Sequence, residues 1–472
     1  MSRYKELLVN LIIFTAGSFF TKLLLFLLIP LYTNTLSTTE FGIADLLTNS
    51  ADLLLPVLTV CISESVFRFS IDNDIEKAKL LSNGLFVISI GSIILLVSLF
   101  ITKHFFSLDY VVCFWFLFLS TVIQSLFAQF VRGLGLAKQF AISGVVSALA
   151  LIVFSAIFLI YFKLKILGYL LAIIISNLFS IIFLFYSSNM SRYIFIRDIE
   201  KELLGRMMLY SIPLIPNALS WWVVNISNRY VILLYHGASL TGLFAAASKM
   251  PAIINLFSGI FQQAWQYSSA KEYNNEGRDQ FYSRILKYYS VGIFILASFL
   301  IIMTPYLSRL ILAKDFYSAW VYVPILLLAA VVGCFSYFWG TFYLTAKVNR
   351  MIMISTLCGA IMNVLFCLLL VPNFGIMGAS IATLLGFTII CVIRIVDSRR
   401  LVKLEIDWIK FCSNSCILLI QTFLIVFINH DSFLFNILLT VILIFINRKS
   451  ILELYSFIYK ESLIHFKDFI YF

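Results

Sequence analysis

Runs of apolar residues long enough to cross a bilayer as a helix return along this whole chain, and no other feature restricts its fold as much. A run of roughly 17–25 residues covers the ~30 Å of bilayer hydrocarbon at about 1.5 Å per residue. Fourteen are legible, at about 10–31, 41–63, 84–102, 109–131, 141–162, 166–187, 209–235, 241–263, 288–308, 320–345, 351–371, 376–396, 409–428 and a shorter one at 433–447. None alternates apolar and polar residues as barrel strands do, so an all-α polytopic membrane protein is expected. Composition agrees: of 472 residues 62% are hydrophobic and 12% charged, too little polar surface for a soluble domain.

The opening "MSRYKELLVNLIIF" carries a basic leader like that of a signal peptide. Its apolar stretch continues to Tyr32 without a small-residue cleavage site, so it is expected to be retained as the first span. The eight cysteines lie almost entirely in spans or at cytoplasmic span ends, which implies no disulfide framework. Cys412 and Cys416 are one turn apart but lack further ligands, so no metal site is expected.

The net charge of +11 is not spread evenly. With the N-terminus placed in the cytoplasm, 26 of the 34 Lys and Arg fall in cytoplasmic segments and five in outer loops. This is the positive-inside bias, and a missed span would scramble it. Both termini are then cytoplasmic. The aqueous loops are too short for a catalytic domain and no phosphate-binding loop motif occurs, so an enzyme and an ATP-driven pump are both disfavoured. The tail from Arg448 reads either as an amphipathic helix on the inner leaflet or as a frayed end.

The chain also repeats itself. "GLGLAKQFAI" and "YLTAKVNRMI" share an Ala-Lys pair at 137–138 and 346–347. Gly168, Ala172 and Ser176 are answered by Gly378, Ala382 and Gly386, a spacing that lets helices approach closely. Six spans per copy is an even number. Two parallel six-helix lobes, 1–190 and 191–400, are therefore expected about a pseudo-two-fold axis along the membrane normal. Two further spans over 401–447 and a tail over 448–472 follow. Folds of this kind bind substrate between repeats and alternate access.

Three cations, Lys22, Arg229 and Lys249, remain inside spans. A charge at the bilayer centre costs roughly 2.5–3.5 kcal/mol on insertion scales, so such residues face a cavity or a partner. Asp45, Thr48, Asn49 and Asp52 lie on one face of the second run. Polar stripes also mark the first run (Thr15, Ser18, Lys22), the seventh (Asn217, Ser220, Asn225, Asn228) and the eighth (Ser248, Asn255, Gln262). The plain alternative is a buried Lys22–Asp52 pair that fixes helix register. No acid stands near Arg229 or Lys249 in their own helices. Glu64 and Arg68, one turn apart, read as a local ion pair or a cytoplasmic gate. Pro56, Pro213, Pro216 and Pro251 interrupt runs two, seven and eight.

These features meet in a family pattern. "AGSFFTKLLLFLLIPLYTNTLSTTEFGIADLL" with "SESVFRFS", "IPLIPNALSWWVVNISNRYVILLYHGASLTGLFAAASKMPAI" with "FQQAWQYSSAKEY", and "LVPNFGIMGASIAT" together resemble the polysaccharide transporter family of Wzx-type oligosaccharide-lipid flippases, part of the multidrug/oligosaccharidyl-lipid/polysaccharide exporter superfamily. The resemblance runs from about residue 10 to 396. It implies two six-helix lobes with two appended helices, and movement of undecaprenyl-diphosphate-linked oligosaccharide from the inner to the outer leaflet without ATP. The family's Ser-Asp-Arg is here Ser227-Asn228-Arg229, which removes an acid beside Arg229.

A lipid diphosphate needs fixed cations, and Arg and Lys supply them as a fork and a point charge. Lys22, Arg229 and Lys249 are therefore the expected diphosphate contacts in a cavity between the lobes. Asn49, Asp52, Asn225 and Asn228 are expected to meet sugars or balance charge. Asp45 and Asp52 are candidates for H+ or Na+ coupling; no cofactor is expected. The expected partners are the lipid-linked oligosaccharide, membrane lipids, and polymerase or other polysaccharide assembly proteins, with no nucleic acid. A peptidoglycan-precursor flippase and a multidrug or metabolite antiporter of the same fold are the rival readings, and a membrane polysaccharide polymerase is a more distant one.

Overall fold

A computed structural model of the chain describes residues 26–72, 74–105, 110–193, 199–273, 275–346, 350–428 and 433–470, together with Thr21, Leu24 and Val348. Lys22, Thr15 and Ser18 lie outside the described residues. Every regular element within them is helical. Among the described residues, eleven helical segments are long and apolar enough to cross a membrane.

Two of the eleven hold two expected runs each and bend at a glycine. Lys201–Ala247 bends at Gly237 (φ 83°) and Arg350–Ser398 at Gly375 (φ 52°). Both backbones lie in a region that side chains with a Cβ do not tolerate, which is why glycine stands at each corner. Leu28–Thr35 is the described end of the first run, and Ala252–Glu272 completes the eighth. All fourteen runs therefore have helical counterparts, the first in part.

Local chemistry explains where these helices start and stop. Thr38–Leu58 begins with a capping box: the Glu40 N–H donates to Ser37 Oγ at 3.2 Å, and the Ser37 N–H donates to the Glu40 carboxylate at 2.9 Å. It ends before Val60 and Cys61, both left-handed (φ 53° and 52°), and a separate short helix, Ile62–Ser70, follows. The eighth run breaks at Ser248–Pro251 because Pro251 has no N–H for the Ala247 carbonyl. Met250 N–H takes that carbonyl instead, at 3.3 Å. The last helix runs unbroken from Phe433 to Ile470, so the backbone beyond Arg448 continues the final span.

The chain divides into two units, Met1–Ala246 with Ile311–Phe316, and Ala247–Leu310 with Tyr317–Phe472. In the first unit, Thr38–Leu58 and the segment after Gly237 touch backbone to backbone. A Cβ on Gly42 would strike the Ala238 carbonyl, and one on Gly242 would strike the Thr38 carbonyl. In the same unit a Cβ on Gly168 would come within 3.1–3.2 Å of Leu164, Leu159 and Phe158, across the turn joining the fifth and sixth runs.

The second unit repeats that device around Gly375. A Cβ on Gly378 would stand 2.6 Å from the Leu370 backbone, one on Gly386 2.9 Å from Asn363, and one on Gly359 would strike Ile390. Each pair is nearly symmetric about the corner, so these two helices run antiparallel. The glycines of both small-residue stripes, Gly168 in one and Gly378 and Gly386 in the other, thus lie in close contact across a turn. The core of the second unit is aromatic: Trp265 stacks on Phe338 at 4.8 Å and Phe261 on Tyr289 at 4.1 Å.

Candidate functional site

The first unit holds a polar cluster built from the polar stripes of two otherwise largely apolar helices. Asp45 lies seven residues into Thr38–Leu58, and Arg229 eight residues before the Gly237 corner. At about 1.5 Å per residue both sit roughly 10–12 Å from the ends of their helices. The two depths match, and the side chains meet: Arg229 Nε donates to Asp45 Oδ2 at 2.5 Å. Both are almost fully withdrawn from solvent, with side chains 7% and 2% exposed.

The pair does not stand alone. Asn49, one turn beyond Asp45, donates from Nδ2 to the same carboxylate oxygen at 2.9 Å and to the Asp45 carbonyl at 2.6 Å. Arg229 Nη1 donates to the Asn225 carbonyl at 3.0 Å. Its guanidinium carbon stands 5.5 Å from the centre of the Phe244 ring, on the helix that returns from the corner. Trp222 Nε1 donates to the Asn49 carbonyl at 2.9 Å, and the Tyr230 and Ser50 hydroxyls meet at 2.7 Å. The Trp222 and Tyr230 rings are 5.4 Å apart, so the aromatic pair seals one flank of the network.

A buried ion pair of this kind survives only if the desolvation of both charges is offset by geometry and extra hydrogen bonds. Here the carboxylate takes two donors on one oxygen and the guanidinium two acceptors on different nitrogens. The cation is thereby held at a defined position inside the unit. A guanidinium is chemically suited to acceptors that offer paired oxygens.

The other sequence-predicted residues distribute as follows. Asn228 is 1% exposed. Asn225 is exposed and its side chain donates to the Trp221 carbonyl at 2.7 Å. Asp52 is exposed, two turns along from Asp45, and Pro56 lacks the N–H that would occupy the Asp52 carbonyl. Lys249 belongs to the second unit, at the break between Ala247 and Ala252, and is half-buried. Lys22, and with it the Lys22–Asp52 alternative, lies outside the described residues.

Glu64 and Arg68 ride on the separate helix Ile62–Ser70, not on the end of the second span. Arg68 pairs with Asp72 at 2.8 Å, and Glu64 receives the Gln129 amide at 3.4 Å. The local pair expected between them is replaced by these partners.

Sequence reasoning missed two things. The first is the Asp45–Arg229 contact, whose signal was equal depth from two helix ends. The second is Arg394, which charge counting assigns to a cytoplasmic segment. It is 1% exposed in the second unit. Its Nε reaches Ser355 Oγ at 3.0 Å, Nη1 the Ser336 carbonyl at 2.8 Å, and Nη2 Thr356 Oγ1 at 3.0 Å. A Cβ on Gly340 would stand 2.8 Å from that guanidinium, so glycine makes room for it. Among the described residues no group of three His, Cys, Asp or Glu could hold a metal ion.

Residues 7–266 match the family model described as "Polysaccharide biosynthesis protein". No curated protein sequence is similar enough to count as a match. Solved structures are similar in fold. An inward-facing multidrug resistance MATE family transporter of the MOP superfamily superposes with a TM-score of 0.64 at 16% identity, covering 80% of this chain and 94% of its own. An outward-facing one gives 0.60 at 15%, covering 83% and 95%. A MOP superfamily transporter from Pyrococcus furiosus, described as having a binding pocket of reverse polarity, gives 0.58 at 14%, covering 83% and 95%. At these identities the likeness concerns the fold.

Proposed function

This chain belongs to the polysaccharide biosynthesis protein family, and on that premise we propose that it flips undecaprenyl-diphosphate-linked oligosaccharide from the inner to the outer leaflet of a bacterial cytoplasmic membrane. The family and the fold are those of multi-pass membrane transporters and not of enzymes. The identity of the cargo is our own reading. The observation that supports it most is a guanidinium buried inside a membrane helix and held there by a carboxylate from another helix.

In this reading Asp45 neutralises Arg229 while the site is empty. A diphosphate carries more charge than one carboxylate and offers several oxygens to the guanidinium fork, so it competes for the cation. Protonation of Asp45, or its capture of Na+, releases Arg229 to the substrate and couples loading to an ion. Lys22 and Lys249 add charge for the diphosphate, Asn49, Asn225 and Asn228 meet sugar hydroxyls, and Asp52 shares the coupling role. Glu64 and Arg68 serve the cytoplasmic entrance. Transport proceeds by alternating access between lobes of residues 1–190 and 191–400, with both termini cytoplasmic and no cofactor. The flipped product passes to a polymerase and other polysaccharide assembly proteins.

The test is leaflet-specific. Cells lacking the protein, and cells carrying Arg229→Ala or Lys249→Ala at matched expression, are assayed for lipid-linked oligosaccharide accessible from each face. Retention on the inner leaflet in all three supports the proposal. Normal outer delivery in the deletion strain, with no second flippase present, rejects it. Retention of peptidoglycan precursor instead would reassign the cargo.

A further inference from the structure

The second unit contains a cleft of about 500 Å³ between the start of helix Arg278–Ile311, the segment leading into helix Trp408–Phe423 with that helix's first turns, and helix Phe433–Ile470. That volume is in the range of small-ligand sites. Its wall carries three cations and three anions: Arg284, Lys287, Lys410, Glu405, Asp407 and Glu453. Four of the six are matched internally. Lys287 pairs with Glu453 at 2.6 Å and Lys410 with Asp407 at 2.7 Å. Among the described residues, Arg284 and Glu405 stand outside these two short ion pairs and both are exposed; Lys287, with Arg284 near enough to help, holds the Glu453 carboxyl below the usual range.

The deeper wall is polar but already satisfied. Asn414 and Asn447, each 2% exposed, exchange hydrogen bonds at 3.3 and 2.9 Å. Val291 and Phe411 supply apolar surface beside them. On the proposed orientation the cleft opens where these helices leave the hydrocarbon on the cytoplasmic side, beside Trp408, a residue type that favours that boundary.

We propose that this cleft binds a phospholipid headgroup carrying both a phosphodiester and a primary ammonium. The charges decide against the alternatives. A purely anionic headgroup would meet Glu405, Asp407 and Glu453 along with the cations, and a purely cationic ligand would meet the reverse. A zwitterion places its phosphate on Arg284 and its ammonium on Glu405, the two charges outside the Lys287–Glu453 and Lys410–Asp407 pairs. The apolar surface then receives the glycerol and the first acyl carbons. The ligand would tie the last helix to helix Arg278–Ile311. This site shares no residue with the Arg229 network, so its fate does not depend on the proposed cargo.

The full-length protein, delipidated in detergent, is titrated with phosphatidylethanolamine, phosphatidylcholine or phosphatidylglycerol, and bound lipid is counted by native mass spectrometry. Phosphatidylethanolamine is expected to bind most tightly. Glu405→Gln should weaken it about three- to fivefold, the scale of one exposed charge contact, while leaving phosphatidylglycerol unchanged or stronger. Arg284→Gln should weaken both. Both side chains are exposed, so neither variant threatens folding. Equal binding of the three lipids, insensitive to both substitutions, would mean ordinary annular lipid and overturn the proposal. A preference for phosphatidylglycerol in the unmodified protein would overturn it as well.

Discussion

Arg229 and Asp45 are separated by 184 residues of chain and meet at 2.5 Å, both buried. The contact answers why a bilayer span should carry an arginine: the cation is neutralised from a different helix at the same depth. An exposed pair of this kind would contribute about 0–1 kcal/mol, whereas removing one partner of a buried pair costs about 3–5 kcal/mol. The asymmetry makes the pair testable by a cycle.

Asp45→Ala should leave a buried guanidinium without its carboxylate and destabilise the protein by about 3 kcal/mol. Arg229→Ala should behave similarly. The double variant should lose clearly less than the two singles added together, because neither charge is then orphaned. Thermal unfolding of the three purified variants in one detergent reads this directly. Additive losses would show that the two side chains do not couple.

Arg229→Lys keeps the charge but not the fork. Lysine brings its donors on one nitrogen, whereas Arg229 meets the Asp45 carboxylate and the Asn225 carbonyl with two separate nitrogens, Nε and Nη1, in a fixed plane. Outer-leaflet delivery should fall about tenfold, by the loss of one charge-assisted contact, with expression close to normal. Wild-type delivery in this variant would show that a point charge is enough.

Gly242→Ala tests the backbone contact that sets the two helices at this depth. The added Cβ would strike the Thr38 carbonyl, a group that cannot swing away as a side chain does. A loss of about 1–3 kcal/mol is expected in the same unfolding assay. Gly292→Ala is the control, since open space surrounds that position and the change should be neutral or mildly stabilising.

Arg394→Met separates a structural cation from a transporting one. The substitution removes donors to Ser355, Thr356 and the Ser336 carbonyl while keeping much of the side-chain volume. A loss of roughly 2–4 kcal/mol in stability is expected from the broken network, with delivery per folded molecule near normal. A folded variant that no longer delivers would place Arg394 in the transport path.

The sequence by itself determined the class, the number of helical runs and the corners between them. Hydrocarbon forces every backbone polar group into a helix, so length and hydropathy are sufficient for that much. The short turns between runs seven and eight and between runs eleven and twelve were legible as brief gaps in the apolar pattern; that each bends at a glycine in a conformation other residues avoid, Gly237 and Gly375, came with the backbone. The small-residue stripes were legible because close packing has a fixed helical spacing. Tertiary structure alone decided who partners whom. Hydropathy is a property of one helix, whereas the Asp45–Arg229 contact needs the depth and rotation of two, set by backbone contact at Gly42 and Gly242. For the same reason Arg394 counted as a surface cation until packing against Ser355, Thr356 and Gly340 buried it. Pro56 marked the second run as interrupted, but the helix continues through it and breaks only at Val60 and Cys61, which moves Glu64 and Arg68 onto their own helix.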